Sequence, residues 1–480
     1  MTLRNAFTLG LLLLVVSSGL ALGASPAPAG EPLLLGQRFM LHSQALGEER
    51  GYQVHRPADY DISSARYPVL YVRDGAEHFQ HVSATVDFLA AAGQIPPMLV
   101  VGIPNTNRFR DLLSYTKEQG ASPLLKFITG ELAPQIDAHY RTLPYRMLMG
   151  WSDGGLFALH ALMNAPGAFR SYLVLAPAFG DDLSMTKNLS AFFAAHQDAM
   201  LNADMYMGMD DVKGRGLSRA YEAAAVLQER AGRVRDLRFT FRYYADESHM
   251  SVPMRGVQDG LRIVFEGWEL ADPFALYEQG GLAAIEKHFT ALSGRLGFPV
   301  ELPEDALFST FNSLEGGRRY PEAVQVISRA VALYPQSTTA LYYLARVQGR
   351  MGDKPQSIDT LKKLLNMAPG DGGARNLLRE MQVDPDTLAA AASVSSKDLA
   401  KYAGRYGDPV VFAIEQRGER LYGRTVEREY LLTPLSSTRF RFAENSVYSS
   451  GGSIEFRTDA RGRVTGLSFG GGGPELARSK

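Results

Sequence analysis

The stretch Met147-Leu148-Met149-Gly150-Trp151-Ser152-Asp153-Gly154-Gly155 decides how the rest of this chain is interpreted. Three apolar residues lead into a glycine, a serine stands at the turn, and an apolar, helix-like run begins at Leu156. A strand that turns sharply through glycines into a helix is the geometry of a nucleophile elbow, in which the serine stands exposed at the start of the helix. The alternative is a serine that caps an ordinary helix, and the surrounding chain has to decide between the two.

Composition is typical of a soluble globular protein. The chain has 480 residues, which is too long for a single core, so we expect several domains. Lys and Arg number 50 and Asp and Glu number 51, giving a net charge of −1. No charge imbalance therefore indicates nucleic acid as a partner. Cysteine is absent, which excludes disulfides, thiolate metal sites and a cysteine nucleophile.

Residues 1–24 have the pattern of a secretory signal peptide. Arg4 supplies a positive charge, residues 9–22 form an apolar run, and small residues follow, so cleavage is expected near Ala24. The alternative is a membrane anchor, but the apolar run is short for a span of about 20 residues. We therefore expect a periplasmic or secreted protein that has no stable membrane span after cleavage.

Residues 31–270 alternate between strand and helix patterns. Continuous apolar runs at 67–72 and 97–103 are of the buried-strand type, and residues 124–141 form an amphipathic helical pattern. This alternation predicts an α/β domain with a mainly parallel sheet covered by helices on both faces. In such sheets chemistry collects beyond the carboxyl ends of the strands.

Two further regions follow. Residues 271–388 read as helices, and small or apolar residues recur after 34 positions, as in Ala323/Ser357 and Ile327/Leu361. This period is typical of tetratricopeptide (TPR) repeats, and the alternative is a generic helical hairpin. Residues 398–480 read as short strands separated by turns, which predicts a small antiparallel β-barrel or sandwich with no catalytic constellation.

If Ser152 is a nucleophile, it needs an acid and a histidine, which follow the elbow in that order along the chain. Of the four histidines after Ser152, His249 is the one that stands alone just beyond the last predicted strand. The acid should follow the strand at 204–208, where Asp210 and Asp211 lie. Asp211 is the first choice and Asp210 the second, and the alternative for this pair is a helix cap.

An oxyanion hole requires two backbone N–H donors. The N–H of Asp153, directly after the predicted nucleophile, is the first. The second is expected in the loop after the strand at 67–72, and Ala76 is the choice there. Asp74 and Gly75 are expected to shape that turn.

These residues belong to a series of motifs that occur in a fixed order. The motifs lie at residues 67–75, 101–105, 108–112, 131–137, 150–155 and 247–253. Together they resemble the Putative esterase family of α/β-hydrolases, which includes ferric enterochelin esterases, esterase D-type enzymes and mycolyltransferases. The resemblance covers about half of the chain, roughly residues 35 to 270.

The resemblance implies the α/β-hydrolase fold, with Ser152 and His249 as nucleophile and base and Asp211 as the acid. It also implies that Arg108 and Asp111, from an R-x-R-D motif, support the active-site loop. It implies neither a metal nor a cofactor. Trp151 departs from the family, where histidine is frequent at this position. The arginine cluster by which enterochelin esterases hold an anionic siderophore is not evident, which argues against a ferric siderophore as substrate.

The resulting hypothesis is an exported serine esterase that hydrolyses a small-molecule carboxylic ester through a Ser-His-Asp triad and an acyl-enzyme. One alternative is an acyltransferase that uses the same acyl-enzyme. Another is a non-catalytic protein that binds a protein partner through its TPR-like repeats on a hydrolase scaffold.

Overall fold

The computed structural model describes residues 33–113, 122–179, 184–196, 200–210, 215–233, 237–368, 371–385, 394–408, 411–425, 428–442, 453–459, 461–470 and 475–479. Leu34 to Lys480 form one compact unit. The predicted signal peptide at residues 1–24 lies outside the described residues. No helix in the described ranges is both long and apolar enough to cross a membrane.

The first part of this unit is an eight-stranded sheet with the strand order β1-β2-β4-β3-β5-β6-β7-β8. β1 and β2 run antiparallel, and β3 to β8 are parallel to one another. The predicted mainly parallel sheet is confirmed. The strands are β1 (Gln37–Ser43), β2 (Glu48–His55), β3 (Tyr67–Arg73), β4 (Leu99–Ile103), β5 (Thr142–Trp151), β6 (Ser171–Leu175), β7 (Ala203–Met209) and β8 (Leu237–Tyr243).

Helices cover both faces of this sheet. The central strands β3, β4 and β6 are buried along their whole length, so each face needs an apolar cover. A π-helical turn, Ile128–Leu132, joins two of the short helices. The helices are α1 (Gly75–Ala91), α2 (Arg108–Leu113), α3 (Pro123–Phe127), α4 (Ala133–His139), α5 (Asp153–Asn164), α6 (Ser184–Ala195), α7 (Arg215–Arg233) and α8 (Val252–Val264).

The second part is helical and contains the repeat. Two antiparallel hairpins, α10 with α11 and α12 with α13, are followed by a further helix. Four repeated positions of the TPR-like pattern, Ala323, Ile327, Ser357 and Leu361, are fully buried. The helices are α9 (Pro273–Leu296), α10 (Glu304–Gly316), α11 (Tyr320–Leu333), α12 (Thr338–Arg350), α13 (Lys354–Met367) and α14 (Gly372–Glu380).

The helical part is fastened to the sheet at the edge where the parallel strands begin. Arg295 of α9 forms an ion pair with Asp204 of β7 at 3.1 Å and donates to the carbonyl oxygens of Val264 and Glu266 at 2.8 and 2.6 Å. One apolar cluster runs without interruption from the sheet face under α1 and α8 into α9, α10 and α11. The helices therefore share a core with the sheet instead of hanging from a linker.

The third part, after α15 (Ser396–Leu399), is an eight-stranded antiparallel sheet in sequential order. Backbone bonds between its first and last strands nearly close it into a barrel: the Gly407 N–H donates to Ala477 and the Ser479 N–H to Arg405, both at 2.8 Å. Of the two predicted architectures, barrel and sandwich, the structure therefore has the barrel. The strands are β9 (Gly404–Tyr406), β10 (Phe412–Arg417), β11 (Arg420–Arg424), β12 (Glu429–Pro434), β13 (Arg439–Phe442), β14 (Ser453–Thr458), β15 (Val464–Phe469) and β16 (Glu475–Ala477).

Candidate active site

Ser152 stands at a strained turn between β5 and α5. Its backbone has φ 58° and ψ −121°, a region that non-glycine residues avoid and that costs of order 1–3 kcal/mol. Backbone bonds hold the turn in place: the Ser152 N–H donates to Leu175 at 2.9 Å, and its carbonyl accepts from Gly155 at 2.9 Å and Ala178 at 3.2 Å. This strain with its supports is what a nucleophile elbow requires, whereas an ordinary cap residue would be extended.

Glycines make the turn possible because strand and helix approach closely. A Cβ atom at Gly150 would lie 1.9 Å from the carbonyl oxygen of Gly154. A Cβ atom at Gly155 would lie 3.1 Å from Cα of Pro177. The first distance is impossible without moving backbone, so the glycine before the elbow is a steric requirement.

His249 and Asp210 meet at the same edge of the sheet. Asp210 directly follows β7, and its carboxylate lies 3.0 Å from Nδ1 of His249 in the loop after β8. The side chain of Asp210 is 1% exposed and that of His249 is 37% exposed. A buried carboxylate at Nδ1 fixes the tautomer in which Nε2 is free to accept a proton.

Asp211, the first choice for the acid, lies outside the described residues. The second choice, Asp210, is the one that contacts His249. Adjacent residues at the end of a strand point in different directions, so the choice depends on the phase at which β7 leaves the sheet. In the structure that phase directs Asp210 towards the histidine.

The two predicted oxyanion donors lie in the first turns of two helices. Asp153 is the first residue of α5, and Ala76 is the second residue of α1. First-turn N–H groups have no acceptor within their own helix. The next N–H groups of α1, those of Glu77 and His78, are bonded to the Asp74 carbonyl at 3.0 and 3.1 Å. Asp153 and Ala76 therefore remain the candidates for this role.

Asp74 and Gly75 form the tight turn that places Ala76. Asp74 adopts the left-handed conformation with φ 51° and is 1% exposed. A Cβ atom at Gly75 would lie 2.5 Å from the backbone nitrogen of Ile103. The Asn105 side chain donates to the Asp74 carboxylate at 2.5 Å, so the loop after β4 braces the turn after β3.

Arg108 joins the two helix starts that carry the oxyanion candidates. Its Nε lies 3.0 Å from the Asp74 carboxylate, and its Nη1 lies 2.6 Å from the Asp153 carboxylate. Desolvation acts to lower the pKa of Arg108, but the two carboxylates outweigh it and raise this pKa. Arg108 is therefore a charged bridge between the turns after β3 and β5.

Asp111 lies apart from Arg108 and has a different role. Its buried carboxylate accepts from Arg50 of β2 at 2.6 Å and from Arg110 at 2.7 Å. The bond from Arg50 fastens α2 to the sheet. Of the two expected supporting residues, Arg108 contacts the site and Asp111 holds the helix that carries Arg108.

Three aromatic side chains for which the sequence predicts no role, Trp151, His78 and His81, lie together beside the site. Nδ1 of His78 lies 2.9 Å from Nε2 of His81, and the His78 ring packs edge-on against Trp151. Burial, assisted by His81, lowers the pKa of His78 to about 4, and burial also lowers the pKa of His81. The i, i+3 spacing on a helix is a signal for the histidine pair. The contact of Trp151 with His249, 98 residues away, has no local signal.

In the parts of the chain described here, no group of three or more His, Asp or Glu side chains is placed to hold a metal ion. The chemistry that the site offers is nucleophilic: a serine at a strained turn, an imidazole oriented by a buried carboxylate, and N–H groups at two helix starts.

Two segments of this chain match known protein families. Residues 43–214 match the family described as Putative esterase, and residues 339–371 match the Tetratricopeptide repeat. Ferri-bacillibactin esterase of Bacillus subtilis is 24% identical over 217 residues, 39% of this chain and 75% of that protein. Siderophore triacetylfusarinine C esterase of Aspergillus fumigatus is 27% identical over 177 residues, 33% of this chain and 60% of that protein.

Two solved structures are similar over more of the chain. An IroE-like serine hydrolase from Shewanella oneidensis is 26% identical with a TM-score of 0.52, covering 62% of this chain and 99% of that one. An uncharacterised protein from Capnocytophaga ochracea, 16% identical with a TM-score of 0.55, shares the fold over 68% of this chain and 93% of that one. These similarities support a hydrolase of ester bonds. The segment from residue 43 to residue 214 is therefore similar to the Putative esterase family, and the segment 339–371 is similar to a tetratricopeptide repeat.

Proposed function

We propose that this chain is an exported serine esterase that hydrolyses small-molecule carboxylic esters through an acyl-enzyme. The observation that carries the proposal is the pairing of His249 with the buried Asp210 at 3.0 Å. This pair lies at the sheet edge where the strained Ser152 follows β5. The three residues follow three different strands of the sheet, in the chain order expected for this fold.

In the proposed reaction, Ser152 Oγ attacks the ester carbonyl carbon while Nε2 of His249 takes its proton. The negative charge on the carbonyl oxygen is held by the N–H groups of Asp153 and Ala76. His249 then gives the proton to the departing alcohol, which leaves the acyl group on Ser152. Water, deprotonated by His249, attacks the acyl-enzyme and releases the acid. Asp210 keeps the ring oriented and stabilises the imidazolium in both steps.

The test of this proposal is the Ser152→Ala variant, assayed on short p-nitrophenyl esters. We expect turnover to fall by about 10³-fold or more because the nucleophile is lost. The matched control is Ser190→Ala in α6, since Ser190 is an exposed helix residue. Wild-type turnover in the Ser152 variant, or absence of labelling of the wild-type protein by a fluorophosphonate probe, would contradict the proposal.

The curated relatives and the sequence of this chain favour different classes of ester as substrate. The two curated relatives are named for siderophore esters, whereas the arginine cluster expected for an anionic siderophore is not evident in the sequence. We therefore propose a neutral carboxylic ester as substrate. A panel that sets neutral aryl and alkyl esters beside a ferric catecholate ester tests this, and a preference for the ferric ester would contradict it. Adding glycerol and analysing the products would reveal acyl transfer.

Export is proposed from the signal-like pattern of residues 1–24. Expression of the full chain in a secreting bacterium, followed by amino-terminal sequencing, is expected to give a mature protein that begins near Ser25. Retention of Met1 on the active protein would contradict cleavage.

A protein partner for the helical repeats is also proposed, on the basis of the match at residues 339–371, because stacked repeats of this kind form extended binding surfaces. A photoreactive residue at Tyr342 is expected to yield a discrete cross-linked adduct in the native cell. An adduct pattern identical to that of the same residue placed at exposed Glu229 of α7 would contradict the proposal.

A further inference from the structure

Trp151, the residue directly before Ser152, is surrounded by groups of the candidate site. Its indole ring lies 4.9 Å from the His249 ring at an interplanar angle of 38°. The His78 ring meets it edge-on at 5.2 Å. The guanidinium of Arg108 lies 5.9 Å from the indole centre. One side chain thus touches the proposed base, the helix that begins at the oxyanion turn, and the arginine that bridges the two oxyanion turns.

The polar atom of the indole is also used. Trp151 Nε1 donates to the backbone carbonyl of His249 at 2.8 Å. This bond acts on the backbone of the histidine loop, whereas Asp210 acts on the imidazole ring. The backbone of His249 is therefore held by Trp151, and its imidazole ring is held by Asp210.

The loop that carries His249 has little packing of its own. Met250, the next residue, is 74% exposed, and Met254 at the start of α8 is 62% exposed. The hydrogen bonds of Ser248 and Ser251 stay within the loop and are exposed. From outside the loop, Arg255 of α8 pairs with Asp246 at 2.7 Å, and the indole is the contact made at the backbone of His249 itself.

We propose that Trp151 is a positioning residue for the esterase reaction: its N–H and its ring hold His249 in line with Ser152. This inference rests on the proposed function. It accounts for the departure of the elbow from the histidine that is frequent before the nucleophile in the family. Since Trp151 is joined to Ser152 by a peptide bond, the nucleophile and the anchor of its base lie on the same rigid turn.

Two other roles for Trp151 make different predictions. A ring that only fills space would affect the stability of the fold but leave the pH profile unchanged. A ring that binds substrate would affect KM and leave kcat unchanged. A positioning residue lowers kcat and shifts the pH profile while KM stays nearly constant.

The experiment uses the full chain with Trp151→Phe and Trp151→Ala, and Trp268→Phe as the matched control. The chain has two tryptophans, and Trp268 packs against Phe265 beyond α8, away from the site. We expect Trp151→Phe, which keeps a ring but loses the N–H, to lower kcat about 10-fold. Trp151→Ala is expected to lower it about 100-fold, the scale at which a 1 Å misplacement acts. The acid limb of the pH profile is expected to shift by about 0.5 unit or more.

A second readout does not depend on catalysis. In Trp268→Phe, Trp151 is the remaining tryptophan, so the emission reports on the surroundings of its indole. The additional change His249→Gln is expected to alter this emission at a fixed pH, because the ring in contact with the indole is replaced. The matched change His139→Gln, at the exposed end of α4, is expected to leave the emission unchanged.

The outcomes separate this inference from the proposed function. If fluorophosphonate labels wild-type Ser152 and Trp151→Phe is labelled at the same rate with an unchanged pH profile, the positioning role is wrong. If the effect of Trp151→Phe lies in KM alone, Trp151 binds substrate and the inference is overturned. If wild-type protein is not labelled, the proposed function fails, and the fluorescence comparison still reports whether Trp151 contacts His249. A Trp151→Ala variant that does not fold leaves Trp151→Phe and the fluorescence comparison to decide.

Discussion

At the scale of single residues, the contact between Asp210 and His249 favours Asp210 over its neighbour Asp211 as the acid of the proposed triad. Asp210→Asn keeps the size of the side chain but presents an amide to Nδ1, so the histidine adopts the wrong tautomer. We expect kcat on p-nitrophenyl esters to fall by about 10⁴-fold. Asp211→Asn is the matched variant one residue later and is expected to stay within a few-fold of wild type. The reverse order of effects would make Asp211 the acid.

A second prediction at this scale concerns buried histidine. His160 of α5 is 3% exposed, and burial lowers its pKa to about 4. The pKa of the same imidazole in the unfolded chain is near 6.5. Between about pH 6.5 and 4 the unfolded chain therefore binds a proton that the folded chain does not. Stability is therefore fully present above about pH 6.5 and decreases as the pH falls, by up to about 3 kcal/mol from this group.

Urea unfolding at pH 7.5 and 5.0 measures this effect. His160→Gln is expected to reduce the difference in unfolding free energy between the two pH values. His139→Gln, at the exposed end of α4, should leave the difference unchanged. An equal pH dependence in wild type and His160→Gln would contradict the assignment.

The candidate site was predictable from sequence where it rests on local chemistry. Ser152 follows from the glycines around it, and His249 from its position after the last strand. The choice between Asp210 and Asp211 was not predictable, because it depends on the backbone phase beyond the end of β7. The role of Trp151 was not predictable because its partner lies 98 residues away.

At the scale of elements, β5 and α5 depend on the absence of a side chain at Gly150. Gly150→Ala places a Cβ atom 1.9 Å from the Gly154 carbonyl oxygen. Because the obstacle is backbone, we expect insoluble protein or a loss of several kcal/mol together with the loss of activity.

The control is Gly294→Ala in α9, where a Cβ atom meets nothing within 4 Å. Helix propensity predicts that this variant gains up to about 1 kcal/mol. Thermal unfolding of both variants, measured beside activity, tests the pair. A stable and active Gly150→Ala protein would show that the elbow can relax.

Elements with a strong internal pattern were predicted, and very short ones were missed. The apolar runs that became β3, β4 and β6 are buried along their length, so sequence and structure agree. β9 and β16 have three residues each, too few to show a period, and they are defined by their pairing with β10 and β15.

At the scale of the whole molecule, Arg295 tests how firmly the helical part is joined to the sheet. Arg295→Ala removes the ion pair with Asp204 and two bonds to carbonyl oxygens. We expect a loss of about 1–3 kcal/mol, since a partly buried carboxylate and two carbonyls lose a charged donor. Activity should be unchanged, because these contacts lie at the opposite edge of the sheet from Ser152.

The control is Arg329→Ala, which removes an exposed ion pair with Glu286 and should cost less than about 1 kcal/mol. Equal effects of the two variants on the unfolding midpoint would show that the Arg295 contacts do not fasten the two parts. The shared apolar cluster also predicts that truncation after Leu270 yields aggregated protein, because it uncovers the part of this cluster that α9, α10 and α11 cover.

The near-closure of the C-terminal barrel limits how this region can bind other proteins. Within its described strands, the backbone groups of Arg405 and Gly407 are taken by Ser479 and Ala477. A foreign peptide seeking to extend the sheet at this seam would find its hydrogen-bonding positions occupied. Recognition by the barrel must therefore use side chains and clefts. The final strand therefore protects the seam of the barrel. Removing residues 475–479 would leave an unpaired strand edge to which another chain could bind.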